Sequence, residues 1–413
     1  MRYDYLIAGA GIIGLTIARE LKHRYPDAKI AIIEKEADVA KHSSGRNSGV
    51  LHAGFYYTAD SMKAKFTRDG NAAMKQYCEQ NGLKINYCGK LVVATDEAEV
   101  KGLEELKRRA EKNGVELNWV TQEEMARIDP NVRSFQKALY SPNTASVDPV
   151  EVCQHMKSEV TGKGVDLFFE MGYVRRSGNT IVTSKKEFTC DYFINAAGLY
   201  ADKIAHDYSF GQKYTIIPFK GIYLKYAKNK TDVQTNIYPV PDLKNPFLGV
   251  HFTKTVDGSI KIGPTAIPAF WRENYKGMQR FKLSEFLQII YYEAKLFLTN
   301  SFNFRKLAFE EIKKYSKTNF IGLSLKMIKE LDRNGFGSFL QPGIRAQLLN
   351  KQTLELVQDF VLEGDSQSMH VLNAVSPAFT CSLPFAKHVV DQIEEKRSGH
   401  PVGGHRPIES ISR

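Results

Sequence analysis

Apolar residues alternate along this chain between two rhythms. Tyr3–Ala8 and Ile30–Ile33 are short, nearly continuous apolar runs of buried-strand type. The stretch between them spaces its apolar positions at helical intervals up to about Arg24. Strand, helix and strand are therefore expected at the start of the chain. The turn out of the first strand carries Gly9, Gly11 and Gly14 in G-x-G-x-x-G spacing, and Glu34 closes the second strand. The first glycine permits a tight turn, the second lets backbone approach a pyrophosphate, and the third lets helix and strand pack closely. The helix start offers N–H groups to an anion. Glu34, with Lys35 beside it, is placed to meet a ribose diol. Together these features predict a dinucleotide site.

The pattern then continues through Ser61–Gly82, a helix capped by Asp60 or Ser61, a strand at Cys88–Thr95 and a charged amphipathic helix at Glu97–Asn113. A capping box, T-Q-E-E, opens a short helix at Thr121–Ile128, and a further helix starts at Pro149. Residues 165–183 alternate as short strands, with a hairpin signal at Ser177-Gly178-Asn179. Asp191–Ile194 is a strand that runs into Asn195-Ala196-Ala197-Gly198 and a helix start at Leu199. Ile216–Tyr226, Ile237–Pro239, Phe247–Thr253 and Gly258–Gly263 predict an antiparallel sheet, and Leu283–Leu331 reads as mostly helical, aromatic and basic. The chain returns through Gly343-Ile344-Arg345-Ala346-Gln347 and an acidic strand at Asp359–Leu362. The last strand, Val371–Asn373, feeds Ser376-Pro377-Ala378 and a helix to about Lys396.

Composition adds limits. With 413 residues, 43% apolar and 25% charged, the chain suits a globular protein with a sizeable core. A first strand at Tyr3 leaves no room for a leader, and no apolar run reaches the roughly 20 residues of a spanning helix. Five scattered cysteines without a C-x-x-C pair read as reduced thiols, so neither a disulfide framework nor a metal site is expected. The net charge of +11 comes without a nucleic-acid-binding motif. A solvated surface plus cationic groups around an acidic ligand accounts for it.

The polar, glycine-rich stretch Ala40–Thr58 suits a loop wrapped on a ligand, offering Ser43, Ser44, Arg46, Asn47 and Ser48, with Leu51 leading to His52. Small residues follow strands at two more places, Ala196–Gly198 and Ser376-Pro377. Three such turns on one elongated ligand fit extended FAD better than NAD. Lys220, His251 and Thr253 interrupt the expected sheet, and Arg272 follows it.

The opening fingerprint, GRNSGVLHAGFYY, NAAG, PFKGIY, FLGVHFT followed by GPTA, GIRAQ and the closing NAVSPA occur in this order over almost the whole chain. In these motifs the chain resembles the L-2-hydroxyglutarate oxidases and dehydrogenases, within the wider FAD-dependent oxidoreductases of the D-amino-acid oxidase type. Val375 and Phe379 stand where that family usually carries a proline and a small residue. The resemblance implies an α/β fold, a Rossmann-type FAD-binding domain interleaved with an antiparallel-sheet substrate domain. The expected division is 1–85, 143–210 and 335–397 for the cofactor and 86–142 and 211–334 for the substrate, with 398–413 a loose tail. It also implies non-covalent FAD, with Gly343 near it, and oxidation of L-2-hydroxyglutarate to 2-oxoglutarate. Electrons would pass to oxygen or a membrane quinone, in the cytoplasm or peripherally on the inner face of the cell membrane.

A dianionic substrate calls for two cationic clamps. Arg345 matches the arginine that grips the α-carboxylate in related oxidases, and a planar fork suits that task. Lys220 and Arg272 are the candidates for the distal carboxylate. His52 and His251 are candidates for the base that takes the hydroxyl proton, with His52 preferred. An amine or amino-acid oxidase of the same fold and a flavin-binding protein without turnover remain as alternatives.

Overall fold

The computed structural model describes residues 1–241 and 249–399. Its first sheet has a parallel core in the order Val165–Phe168, Ile30–Ile33, Arg2–Ala8, Glu187–Asn195, Ser368–Asn373. The hairpin Tyr173–Ser177/Thr180–Thr183 and the strand Val361–Gly364 extend it in antiparallel pairing. Strand pleating sends alternate side chains to opposite faces. Tyr5 and Ile7 pack with the helices Ile12–Arg24, Met62–Gln80, Pro149–Gly162 and Ala378–Ser398, whereas Leu6 and Ala8 pack with Phe188, Phe193 and Tyr208. Near-continuous apolar runs are what a sheet covered on both faces requires.

A second, mixed sheet runs Phe336–Phe339, Leu224–Tyr226, Ile260–Gly263, His251–Lys254, Asn236–Pro239, Lys90–Val93, Ala138–Ser141, Asn118–Val120. Every pair in it is antiparallel except Lys90–Val93 with Asn236–Pro239. The expected boundary at 334/335 falls just before the strand Phe336–Phe339, which belongs to this second sheet. A three-stranded sheet pairs Gly343–Asn350 with Tyr214–Gly221, and the latter with Ile267–Pro268.

Local signals placed most helix ends. Ser61, rather than Asp60, caps Met62–Gln80, and Thr121 with Glu124 forms the full capping box. Three expectations need correction. The run Ile216–Tyr226 is two strands in two different sheets, parted at Ile222-Tyr223, where the Ile222 amide donates to the Thr265 hydroxyl instead of a strand partner. Helix formation after NAAG begins as a short 3₁₀ turn, Gly198–Tyr200, before Ala201–Asp207. The acidic strand is Val361–Gly364, with Asp359 held outside it by the amides of Met62 and Lys63. The first part of the expected strand Phe247–Thr253 and most of the expected tail 398–413 lie outside the described residues.

Candidate active site

A single cavity of about 1170 Å³ runs from the first sheet's fingerprint turn to the start of the second sheet. It exceeds the roughly 300–1,000 Å³ of sites for drug-sized ligands, so it has room for an extended cofactor together with a small substrate. At one end lie Gly9, Gly11, Glu34, Lys35, Ser43, Ser44, Ala196 and Gly198. Arg46, Asn47, Ser48, Gly343, Ser376 and Pro377 also line it, and so do His52, His251 and Arg345. Val375 and Phe379, the two departures from the resembled pattern, are on its wall as well.

The fingerprint end is built from backbone approach. Gly9 has φ +106°, and a Cβ there would sit 2.5 Å from the Ala196 carbonyl, so the two strand-end turns can meet only if residue 9 is glycine. Gly14 does not line the cavity. A Cβ on it would reach 1.9 Å from the Gly9 carbonyl, which makes it the close-packing glycine of the turn. Glu34 accepts the Ala10 amide at 2.8 Å and the Glu36 amide at 2.9 Å, using one lone pair on each oxygen. A carboxylate has about four acceptor positions, so two remain for a diol. The Ser44 hydroxyl accepts the Ile12 amide at 2.9 Å, so part of the helix start is met by this loop. Lys35 is held by Glu36 at 2.5 Å and Glu273 at 2.7 Å, and Arg280 binds the same two carboxylates. Leu51, expected near the cofactor, is instead fully buried in the core under the first helix, because its strand Val50–Leu51 turns that side chain away from the cavity.

At the other end the imidazoles of His52 and His251 flank Tyr238. The His251 ring stacks on Tyr238 with centroids 3.6 Å apart, and His52 meets it edge-on at 6.4 Å. His251 Nδ1 lies 2.8 Å from the Gly249 carbonyl, so that nitrogen carries the hydrogen and Nε2 keeps the lone pair. Burial, opposed by that bond and reinforced by Lys90 and Arg345, lowers His251 to about 3. Burial first, then Lys90, His251 and Arg345, hold His52 well below the usual histidine value. Both rings are therefore neutral acceptors near neutral pH. The Tyr238 hydroxyl is buried on the cavity wall, with the Thr253 hydroxyl as its neighbour.

Two of the expected cationic clamps are elsewhere. Arg272 is fully buried outside the cavity, with Nη1 2.6 Å from Asp202 Oδ1 and Nη2 2.8 Å from Oδ2, and it also donates to the Leu199 carbonyl. It ties down the helix start after NAAG and is not available to substrate. Lys220 lines a separate cavity of about 670 Å³ and donates to the Asn274 amide oxygen at 3.3 Å. The sheet register explains this: Phe219 is opposite Arg345 and Lys220 opposite Ile344, so Lys220 and Arg345 leave opposite faces. Thr253 is buried in the sheet one pleat beyond the cavity wall, with its hydroxyl turned to Tyr238. The residues that sequence reasoning missed at this end are Lys90, Tyr223 and Tyr238. A charged residue opening the apolar run KLVV was the one available signal for Lys90.

The family described as FAD dependent oxidoreductase matches residues 4–292. L-2-hydroxyglutarate dehydrogenase of Escherichia coli K12 is 34% identical over 402 residues, covering 95% of this chain and 93% of the relative. The human mitochondrial L-2-hydroxyglutarate dehydrogenase is 34% identical over 420 residues, covering 95% and 89%. Among solved structures, L-α-glycerophosphate oxidase from Mycoplasma pneumoniae with FAD bound superposes with a TM-score of 0.75 at 21% identity, covering 95% of each chain. Glycine oxidase from Geobacillus kaustophilus gives a TM-score of 0.70 at 18% identity, covering 96% of this chain and 95% of that one.

Proposed function

This chain belongs to the FAD-dependent oxidoreductase family, and we propose that it oxidises the CH–OH group of L-2-hydroxyglutarate, giving 2-oxoglutarate. The observation that carries this reading is one continuous cavity with the glycine turn and Glu34 at one end and two imidazoles with an arginine at the other. FAD, when bound, supplies the two-electron acceptor at N5. Gly9, Gly11, Glu34, Ser43 and Ser44 would hold its adenosine pyrophosphate half, without a covalent link. Arg46 to Ser48, Gly343 and Ser376-Pro377 would border the other half.

The chain's own residues do the rest. Arg345 grips the α-carboxylate by its planar fork. Tyr223 and Tyr238, on the same wall, offer hydroxyl donors to the distal carboxylate in place of Lys220 and Arg272. His52 takes the hydroxyl proton. His251, fixed by Gly249 and stacked on Tyr238, orients the substrate from the other side. Removing the substrate's charges from water in this enclosed end makes each of these contacts stronger than it would be at the surface.

An anaerobic spectrum of the FAD-loaded protein tests the reading. Addition of L-2-hydroxyglutarate is expected to bleach the flavin band. Bleaching by glycine or sarcosine but not by the hydroxy acid would move the chain to the amine-oxidase reading. A flavin that no hydroxy acid reduces would leave a binding protein without turnover.

Electrons leave to oxygen or to a quinone, and one observation favours the quinone at a membrane surface. Among the described residues, no helix is long and apolar enough to cross a membrane. The helix Leu283–Thr299, however, buries Ile289 and Leu296 and still carries apolar side chains on its outer face. Glu285 and Glu293 are inward, 1% and 7% exposed, while Leu283, Leu287, Tyr291 and Leu298 face out, the last 75% exposed. Lys295 lies over the Tyr291 ring and Arg305 donates to the Phe297 and Leu298 carbonyls, so two cations border this apolar face. An apolar face rimmed by cations suits the interface of an anionic bilayer, where each cation adds about 1 kcal/mol. The protein is expected to co-sediment with phosphatidylserine-containing vesicles at low salt and to release as salt rises. Retention in the supernatant under low salt would end the membrane reading without touching the oxidation.

A further inference from the structure

Lys90 is a lysine in an unusual place. It opens the strand Lys90–Val93, it is fully buried, and among the described residues no carboxylate pairs with it. Its Nζ sits among three aromatic rings, 5.5 Å from the centroid of Phe55, 5.1 Å from Tyr56 and 4.2 Å from Tyr238. Among the described residues its one hydrogen-bond contact is with His52 Nδ1, at 3.4 Å. Lys90 does not line the cavity and His52 does, so the imidazole stands between the buried amine and the substrate end. With Nδ1 turned to Lys90, Nε2 is the ring nitrogen left for the cavity.

We infer that Lys90 is a positioning residue and proton partner acting through His52: as His52 Nε2 receives the substrate's hydroxyl proton, the Nδ1 proton passes to the Lys90 amine. This deepens the proposed oxidation and rests on it. The balance is simple. The substrate O–H bond breaks and an Nε2–H bond forms. The Nδ1–H bond breaks and an Nζ–H bond forms, so the pair gains one proton. The α-hydrogen and its two electrons are the cofactor's share. The device answers a difficulty in the site. A buried imidazole beside other cationic groups binds a proton weakly, whereas the ammonium that results here is ringed by π-faces, which favour a cation.

The titratable and charged groups facing this pair are Tyr56, Cys88, Tyr238, His251 and Arg345. Burial holds Lys90 down to about 7, with Cys88 working the other way. The pair can accept the substrate's proton only while Lys90 is neutral. The rate of flavin reduction should therefore rise with pH through an apparent pKa near 7 that belongs to the pair.

The test uses FAD-loaded protein labelled at lysine Cε and histidine ring nitrogens, titrated by NMR, together with stopped-flow bleaching by L-2-hydroxyglutarate across pH. One lysine is expected to titrate near neutral pH, with a linked change at the His52 nitrogens. K90M should lose that resonance, slow the bleaching about 100-fold, in the range of general acid–base effects, and move the rising limb to lower pH. K90R, a fixed cation, should be slow at every pH. Burial also holds Lys63 and Lys261 down to about 8, so the deciding resonance is the one linked to the His52 nitrogens. A wild-type protein in which no lysine coupled to His52 titrates below the ordinary value of about 10.4 overturns the inference, and it needs no variant to fold. So does K90R with wild-type rate and pH profile, which would mean that Lys90 only supports packing. If wild-type flavin is not bleached at all, the substrate assignment has failed and the NMR titration still decides the Lys90–His52 pair.

Discussion

Replacing Arg272 with methionine is expected to destabilise the protein by about 3–5 kcal/mol, the cost of removing one partner from a buried ion pair. Arg272 and Asp202 are both fully buried and joined by two charge-assisted bonds, and the Leu199 carbonyl accepts a further one. Burial by itself would raise the Asp202 carboxyl; the Arg272 guanidinium outweighs it and, with the Ile216 amide, holds the group below its usual range. A lowered carboxyl contributes stability above its unfolded value of about 3.9 and loses it as pH falls through the folded value. In R272M the sign reverses, because burial without the partner raises the group. The variant should then regain stability as pH falls from 8 towards 5, while the wild type does not gain. Urea melts at the two pH values read this directly. The double variant R272M/D202L should recover most of the loss, because well-packed apolar replacements of buried pairs are often near neutral. R272M melting like wild type at pH 8 would refute the assignment. FAD should also bind less tightly in R272M, because Leu199 and Gly198 border the cofactor cavity.

Arg272 also shows where sequence reading stops. As a cation following the expected sheet it was a reasonable clamp, yet Asp202, seventy positions earlier, had already claimed it. Nothing in local periodicity encodes such a pairing. Lys220 is a case of the same kind: its face depends on the register between Tyr214–Gly221 and Gly343–Asn350, strands far apart in the chain. Legible features were those whose physics is local. The glycines of the first turn, Glu34 at the second strand's end, the capping box at Thr121 and the hairpin at Gly178 each specify themselves within a few residues. The Ile216–Tyr226 run was apolar throughout and hid its break, because the reason for the break, the Thr265 hydroxyl, comes from another segment. Lys90 was invisible as chemistry because a lysine's environment, and not its type, decides whether it titrates near neutrality.

The largest functional effect is expected at Arg345. Its strand, Gly343–Asn350, brings it to the cavity wall beside His52, His251, Tyr223 and Tyr238, the groups around which the substrate end is organised. Burial lowers the guanidinium's hold on its proton, and the nearby phenols of Tyr223, Tyr57 and Tyr238 and the Glu311 carboxylate work the other way. A carboxylate arriving there meets a partly desolvated fork, where truncating one partner of a charge pair costs about 2–5 kcal/mol. At 1.4 kcal/mol per tenfold, R345M should lower kcat/KM for L-2-hydroxyglutarate by about 30- to 4,000-fold. Most of that loss should appear as a raised KM, because the clamp acts on the carboxylate in ground state and transition state alike. R345K should recover only a part, since an ammonium is a point charge that cannot match both carboxylate oxygens. The flavin content and absorbance of both variants should stay at wild-type values, which separates a lost clamp from a damaged cofactor site. Steady-state kinetics on R345M and R345K, read beside their visible spectra, decide the matter, and a KM for R345M within twofold of wild type would remove Arg345 from the substrate's carboxylate.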